Sequence, residues 1–333
     1  MKHPALINVI CALGLLAAGG CVHEVPEGGD DYASVALTLD LEIDRDVPEF
    51  QTVVYETKAA SASAARYLLR LFPYVGDKHL TATPFEFSFT AEELSGRSFC
   101  VDVPPLNYHA EVWADQLTDG NPYYNADDFG AISVGLEPYA GGSELRDAFC
   151  GEADIDLSVY KANQSAHSAS IALRRPNARF TFVATDKDRF FKRVAEMRAA
   201  KSGEGESGNI LADDFRIRII YPQFMPSVFN LHNGYNIDSA TGVSFWTTMT
   251  ELPDGNVNIG WDWVFAGDDK ASVVVSLALY DKDESFISRI DEILIPLSPG
   301  KNTTVTGKLL SSGMGSGISI DPSFDGEFTV VIN

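Results

Sequence analysis

"SVALTLDLEID", residues 34–44, decides the fold. Val35, Leu37, Leu39, Leu41 and Ile43 fall on one side, and Ser34, Ala36, Thr38, Asp40 and Glu42 on the other. A period of two is the mark of a strand with one buried face. The same signature continues outward along the chain. Residues 65–75 and 85–90 read as strands, and 97–115 breaks into two at Pro104–Pro105. "ASIALRRPNARFTFVATD" (169–186) gives two more, parted at Arg174–Arg175–Pro176, because proline cannot continue a central ladder. Residues 215–221, 243–249, 258–266, 271–281, 286–297, 302–310 and 326–333 follow as strands, with hairpin-like joints at 251–256 and 281–285. A clear helical period occurs at 186–201, where Phe190, Phe191, Val194 and Met197 share a face and Thr185 or Asp186 is placed to cap. Many short strands separated by turns make sandwiches or barrels. The expected fold is therefore all-β: two β-sandwich domains, 33–175 and 176–333, with one helix in the second.

Residues 116–153 interrupt this pattern with a long polar and aromatic stretch, read as a functional loop or a structural excursion. Tyr123, Tyr124 and Phe129 are candidates for stacking on a ligand, or for packing the loop down. Trp261 and Trp263 share a strand face, and with Trp113 they offer a sugar-stacking platform; a buried core face is the competing reading.

The N-terminus reads as an address. Lys2 and His3 precede an apolar run, residues 5–18, which ends in Ala17, Ala18, Gly19, Gly20 and Cys21. That run is shorter than the roughly 20 residues a membrane-spanning helix needs. It has the length and flanks of a signal peptide. The small residues ending at a cysteine resemble the lipobox of bacterial lipoproteins, although Ala18 stands where leucine is commonest. Residues 1–20 are thus expected to be a lipoprotein signal peptide, and Cys21 the lipidated, palmitate-bearing first residue. Residues 21–32, polar and acidic with Pro26, Gly28 and Gly29, form a flexible tether. The expected location is the outer membrane, lipid-anchored, and the acidic tract after Cys21 resembles a signal for export to the outer face.

The formal charge is −22, and −23 without residues 1–20, which hold one lysine and no acid. Such a surface repels phosphates, so nucleic acid is not an expected partner. Once Cys11 leaves with the signal and Cys21 is lipidated, Cys100 and Cys150 remain, as a disulfide or as two separately buried thiols. Catalytic motifs are missing: no G-x-S-x-G, H-E-x-x-H or G-x-x-x-x-G-K-[ST] occurs. His23, His79, His109, His167 and His232 are scattered and read as surface or packed residues. Asp281, Asp283 and Glu284 lack the glycine and distal glutamate of a calcium loop and read as a solvated turn. The expectation is no enzyme, no cofactor and no metal.

Ordered segments then carry a resemblance: "YHAEVWAD", "PYYNADD", "RDAFCGEADIDL", "RRPNARFTFVATD", "YPQFMPSVFN", "GWDWVFAGDDKASVVVSLALYD" and the run from Gly300 to Asn333. Together they resemble a fimbrillin-related family of outer-membrane lipoproteins of uncharacterised function, related to type V pili. The resemblance implies two transthyretin-like sandwiches and no catalytic residues. It implies a pilus subunit or accessory adhesin, partnered by other fimbrillin-like subunits or by a host or glycan surface. A glycan-binding lipoprotein for nutrient capture is the alternative. In pilus-forming relatives a protease cuts after a basic residue in the loop behind the first strand, here Arg45 or Lys58. The tether is joined to that strand, so cutting would detach the body from its lipid; the chain is expected to begin at Cys21 and stay uncut.

Overall fold

The computed structural model describes residues 34–43, 63–75, 78–79, 83–90, 93–94, 98–118, 120–160, 165–202, 210–267, 271–311 and 328–332. The signal peptide, Cys21, the tether, Arg45 and Lys58 lie outside the described residues.

The opening strand, Val35–Ile43, is the middle of three. It pairs in parallel with Ser165–Leu173 and antiparallel with Ser98–Val103. Its even period is realised as read: Val35, Leu37, Leu39 and Leu41 are all buried. They meet the inner face of a six-stranded sheet whose central order is Phe149–Asp156, Asn107–Thr118, Ser63–Val75 and Lys78–His79, with Phe85–Thr90 also on Ser63–Val75. Leu69, Leu71, Tyr108, Ala110 and Val112 come from that sheet, and Phe99, Val101 and Ile171 from the small one, to close the first core.

The second sandwich repeats the arrangement. Its first strand, Asn177–Ala184, runs parallel to Asn302–Gly307 and antiparallel to Val257–Phe265. Phe328–Ile332 adds in parallel at the far edge of this sheet. The facing sheet has the order Val243–Thr248, Phe215–Gln223, Ser272–Asp281 and Phe286–Pro296. In both sandwiches, then, the first strand lies between a parallel partner late in that sandwich's sequence and an antiparallel partner from its middle.

The helix, Lys187–Ser202, packs through Phe190 and Val194, and Phe190 meets Phe215 at 4.9 Å. Met197, placed on the same face by its spacing, is 43% exposed. Asp186, one of the two residues placed to cap the helix, has its side chain engaged elsewhere. Its two carboxylate oxygens accept from the Leu310 and Ser311 amides, at 3.2 and 2.7 Å.

The stretch 116–153 is an excursion with structure of its own. Tyr124–Asn125 and Ile132–Val134 join Met225–Asn230 and Tyr235–Ala240 in a four-stranded sheet built from both halves of the sequence. Trp113, Tyr124, Phe129, Ile132, Tyr139 and Cys150 belong to the larger core, with the second sandwich. The strands change sandwich between Leu173 and Asn177, while the larger core reaches back to Trp113.

Candidate functional site: the junction and the outer sheet faces

The excursion is fastened to the second sandwich around one carboxylate. Asp262 is fully buried. It accepts from Arg146 Nη1, Tyr139 Oη and Tyr221 Oη, each at 2.6 Å, and from the Gly142 and Trp263 amides at 3.2 and 2.9 Å. Arg146, from the short helical turn Glu144–Arg146, also donates to Tyr139 Oη at 2.6 Å. Burial pulls the Arg146 guanidinium down, but Asp262 beside it holds it well above its ordinary value. Burial, with Asp262 alongside, pushes the Tyr139 and Tyr221 hydroxyls far up, so both remain donors. A buried ion pair is costly unless hydrogen bonds meet its remaining polar atoms; Asp262 has five donors, while Arg146 Nε is buried without a partner among the described residues. Two further ties run beside it. Arg175 makes a bidentate pair with Asp147 at 2.7 and 2.9 Å, and Arg179 donates to Glu144 at 2.9 Å.

This framework fixes the aromatic residues singled out in the sequence. Tyr124 is 1% exposed; its hydroxyl donates to the Arg146 carbonyl at 2.7 Å and accepts from Asn177 Nδ2 at 3.0 Å. Tyr123 is half-buried, and its hydroxyl accepts from Ser143 Oγ at 3.4 Å. Trp261 and Trp263 do share a face, but Trp263 is buried and Arg179 lies 3.9 Å from the centre of the Trp261 ring. Trp113 and Phe129 are wholly buried. These rings therefore form no open platform; they pack and clamp the junction. Cys100 and Cys150 are not bonded to one another. Cys100 sits opposite Thr38 in the small sheet, and Cys150 lies in the larger core, where burial pushes its thiol up to about 12. At the turn 281–285, Asp281 Oδ1 accepts from the Asp283 and Ser285 amides at 3.0 and 2.7 Å, which closes the turn.

An open aromatic surface exists elsewhere. On the outer face of the four-stranded sheet of the second sandwich, Trp246 meets Tyr280 at 5.1 Å and Tyr280 meets Phe286 at 5.8 Å, both edge to face. Trp246 is 38% and Phe286 61% exposed. Arg216 lies 4.8 Å and Arg218 5.7 Å from the Trp246 ring centre. Strand register assembles this row: Arg218 stands opposite Trp246, Arg216 opposite Tyr280, and Tyr280 opposite Phe286. The signal was the alternation of Trp246 with Phe245 and Thr247, which turns Trp246 outward; the cross-strand neighbours were not legible. The other outer face with unusual chemistry is that of the six-stranded sheet. There Glu111 beside His109 pushes the imidazole up to about 9.

Residues 29–333 match a family of unknown function, DUF6562. The chain belongs to this family. No protein of curated function matches its sequence. Solved structures to which the chain is similar include the fimbrial anchor protein Mfa2 from Porphyromonas gingivalis, at 10% identity over 78% of this chain and 82% of that one, TM-score 0.39. A candidate adhesin from Bacteroides thetaiotaomicron is 11% identical over 79% and 81%, TM-score 0.45. A fimbrial assembly protein from Parabacteroides distasonis is 11% identical over 84% and 93%, TM-score 0.36. The DUF6562 member is an all-β protein by its own sheets.

Proposed function

We propose that this DUF6562 protein is a non-enzymatic surface lipoprotein of fimbrillin type, an accessory pilus subunit or adhesin. It is held at the outer membrane through lipid on Cys21 and acts by surface contact. The observation that carries the contact role is the exposed row Trp246–Tyr280–Phe286, flanked by Arg216 and Arg218. Solvent-exposed aromatic clusters mark binding surfaces, and rings with arginine beside them are enriched where binding energy concentrates. Support for an uncut chain comes from the first strand. It is hydrogen-bonded along both edges and fills the first core with four buried side chains. Removing it would open that core to water.

The same aromatic row favours a second reading, glycan binding, because flat rings flanked by donors suit a sugar face. Two experiments decide. Cys21→Ala releases the protein from membranes or stalls its processing; unchanged membrane association and cleavage would overturn the lipoprotein claim. Trp246→Ala with Phe286→Ala, both exposed, leaves folding intact and abolishes attachment of the protein to its target surface or subunit. Retained attachment removes the contact role. Binding of the parent chain to an oligosaccharide array, lost in the same variant, selects the glycan reading.

A further inference from the structure

A second chemical cluster lies on the outer face of the six-stranded sheet, apart from the aromatic row. Strand Asn107–Thr118 runs beside Phe149–Asp156, and the register sets Glu111 opposite Glu152 and His109 opposite Asp154. Period two places all four on the side away from the first core. One liganding atom from each of His109, Glu111 and Glu152 lies within 4.8 Å of the others. His109 Nε2 is 3.6 Å from Glu111 Oε1 and 3.8 Å from Glu152 Oε2. Around a tetrahedral zinc, with bonds of roughly 2.0–2.2 Å, neighbouring ligand atoms sit about 3.3 Å apart. Small side-chain movements therefore close these three groups on one ion, and Glu152, 53% exposed at its side chain, has room to make them.

The groups behind these three have the form expected of a metal site. His109 Nδ1 lies 2.9 Å from Asp154 Oδ1. A carboxylate only accepts, so Nδ1 carries a proton, and Nε2, which sheds its own proton when it binds a metal, is turned to Glu111 and Glu152. A carboxylate behind a ligating histidine is the usual way its ring is oriented. His232 Nδ1 lies 2.7 Å from the same oxygen, Glu111 Oε1, and helps to hold that carboxylate in place.

An independent observation concerns Glu111 itself. The residue is 1% exposed, and its second oxygen, Oε2, is buried with no hydrogen-bond partner. Among the described residues this carboxylate is thus only half satisfied: Oε1 faces His109 and His232, and a rotation of the carboxylate would bring Oε2 to an ion held there. The cation opposite Glu111 in the register, Arg70, does not meet this need. Its guanidinium goes to Glu86 at 3.0 Å, to the Asp127 carbonyl, and over the Phe129 ring at 4.2 Å.

We propose that His109, Glu111 and Glu152 bind a divalent transition-metal ion of the zinc class, with a remaining position for water and with Asp154 and His232 as positioning residues. Imidazole with carboxylates suits zinc over magnesium or calcium, which take oxygen ligands alone. His232 follows strand Met225–Asn230, whose sheet packs with the larger core, while the three ligands come from the first sandwich. The ion thus sits where the two halves meet.

The test is titration calorimetry of the chelator-stripped chain, made without a histidine tag, using zinc chloride alone. One ion binds per chain. Binding weakens at least tenfold in His109→Gln and in Glu152→Gln, and about 10–100-fold in Asp154→Asn. Glu152 and Asp154 are exposed, so the metal-free Glu152→Gln and Asp154→Asn chains melt as the parent does. Magnesium at the same concentration gives no saturable signal. Absence of one-to-one zinc binding overturns the proposal, as does zinc affinity undiminished in either ligand variant, or magnesium binding equal to that of zinc.

Discussion

Arg146 and Asp262 form an ion pair, but the structure makes their removal unequal. Asp262 accepts from five donors, and without Arg146 it keeps four: two tyrosine hydroxyls and two amides. Arg146 is in the opposite position. Its Nη1 goes to Asp262 and Tyr139, and its Nε is buried with no partner among the described residues. Asp262→Asn therefore leaves a guanidinium in the core with no counter-charge, which costs about 3–5 kcal/mol. The new amide also turns a donor toward groups that are themselves donors. Arg146→Met fills the space with an apolar chain and leaves a carboxylate still held by four hydrogen bonds; the loss of one charged hydrogen bond costs about 2 kcal/mol. The double variant, with neither charge, should be less destabilised than the two single costs added together, by about 1–3 kcal/mol. Urea unfolding followed by tryptophan fluorescence measures all three, since Trp113 and Trp263 are buried and the Trp263 amide donates to Asp262 itself. An Arg146→Met cost equal to or above that of Asp262→Asn, or strictly additive costs, would refute the reasoning.

A new side chain at Gly151 should be rejected. An alanine Cβ there would lie 2.4 Å from the Ala172 carbonyl oxygen and 2.9 Å from Leu173 Cδ2, so Gly151→Ala should lose about 1–3 kcal/mol or fail to fold, read by thermal melting. Cys150 should resist a thiol reagent in the native protein and react at once in denaturant. Its thiol is 2% exposed and pushed up to about 12, so rapid native labelling at Cys150, located by peptide mapping, would contradict its placement in the core.

Most strands were legible because burial on one face imprints a period of two, as in Val35–Leu41 and Phe99–Val103. Some elements escaped, Phe149–Asp156 among them, because its first residues fell in the stretch read as a loop or excursion. Met225–Asn230 holds Pro226, and Tyr235–Ala240 has a weak apolar pattern, so neither stood out; tertiary pairing in the shared sheet makes them strands. Residues 110–115 are buried on both faces, one against each core, and their alternation reported only the first. That second burial turns Tyr124, Trp113 and Phe129 from loop residues into core. The Glu111 cluster escaped for a related reason. His109, Glu152 and His232 are far apart in sequence, and only cross-strand register and the packing of the halves bring them together. A fragment of residues 176–333 would lack Arg146, Tyr139 and Gly142, three of the five donors to Asp262.

The parallel pairing of Val35–Ile43 with Ser165–Leu173 has a mechanical meaning. In a parallel pair, the start of one strand and the end of the other lie at opposite ends. A pull on the chain before Val35, resisted beyond Leu173, drives the two strands lengthwise past one another. All nine registered positions then carry the load together, where a hairpin pulled from its open end would give way one rung at a time. The second sandwich presents the same geometry between Asn177–Ala184 and Asn302–Gly307. Tension entering at one end of the folded body and leaving at the other would cross two shear-loaded clamps in series. A protein that tethers a cell surface against flow would need that property.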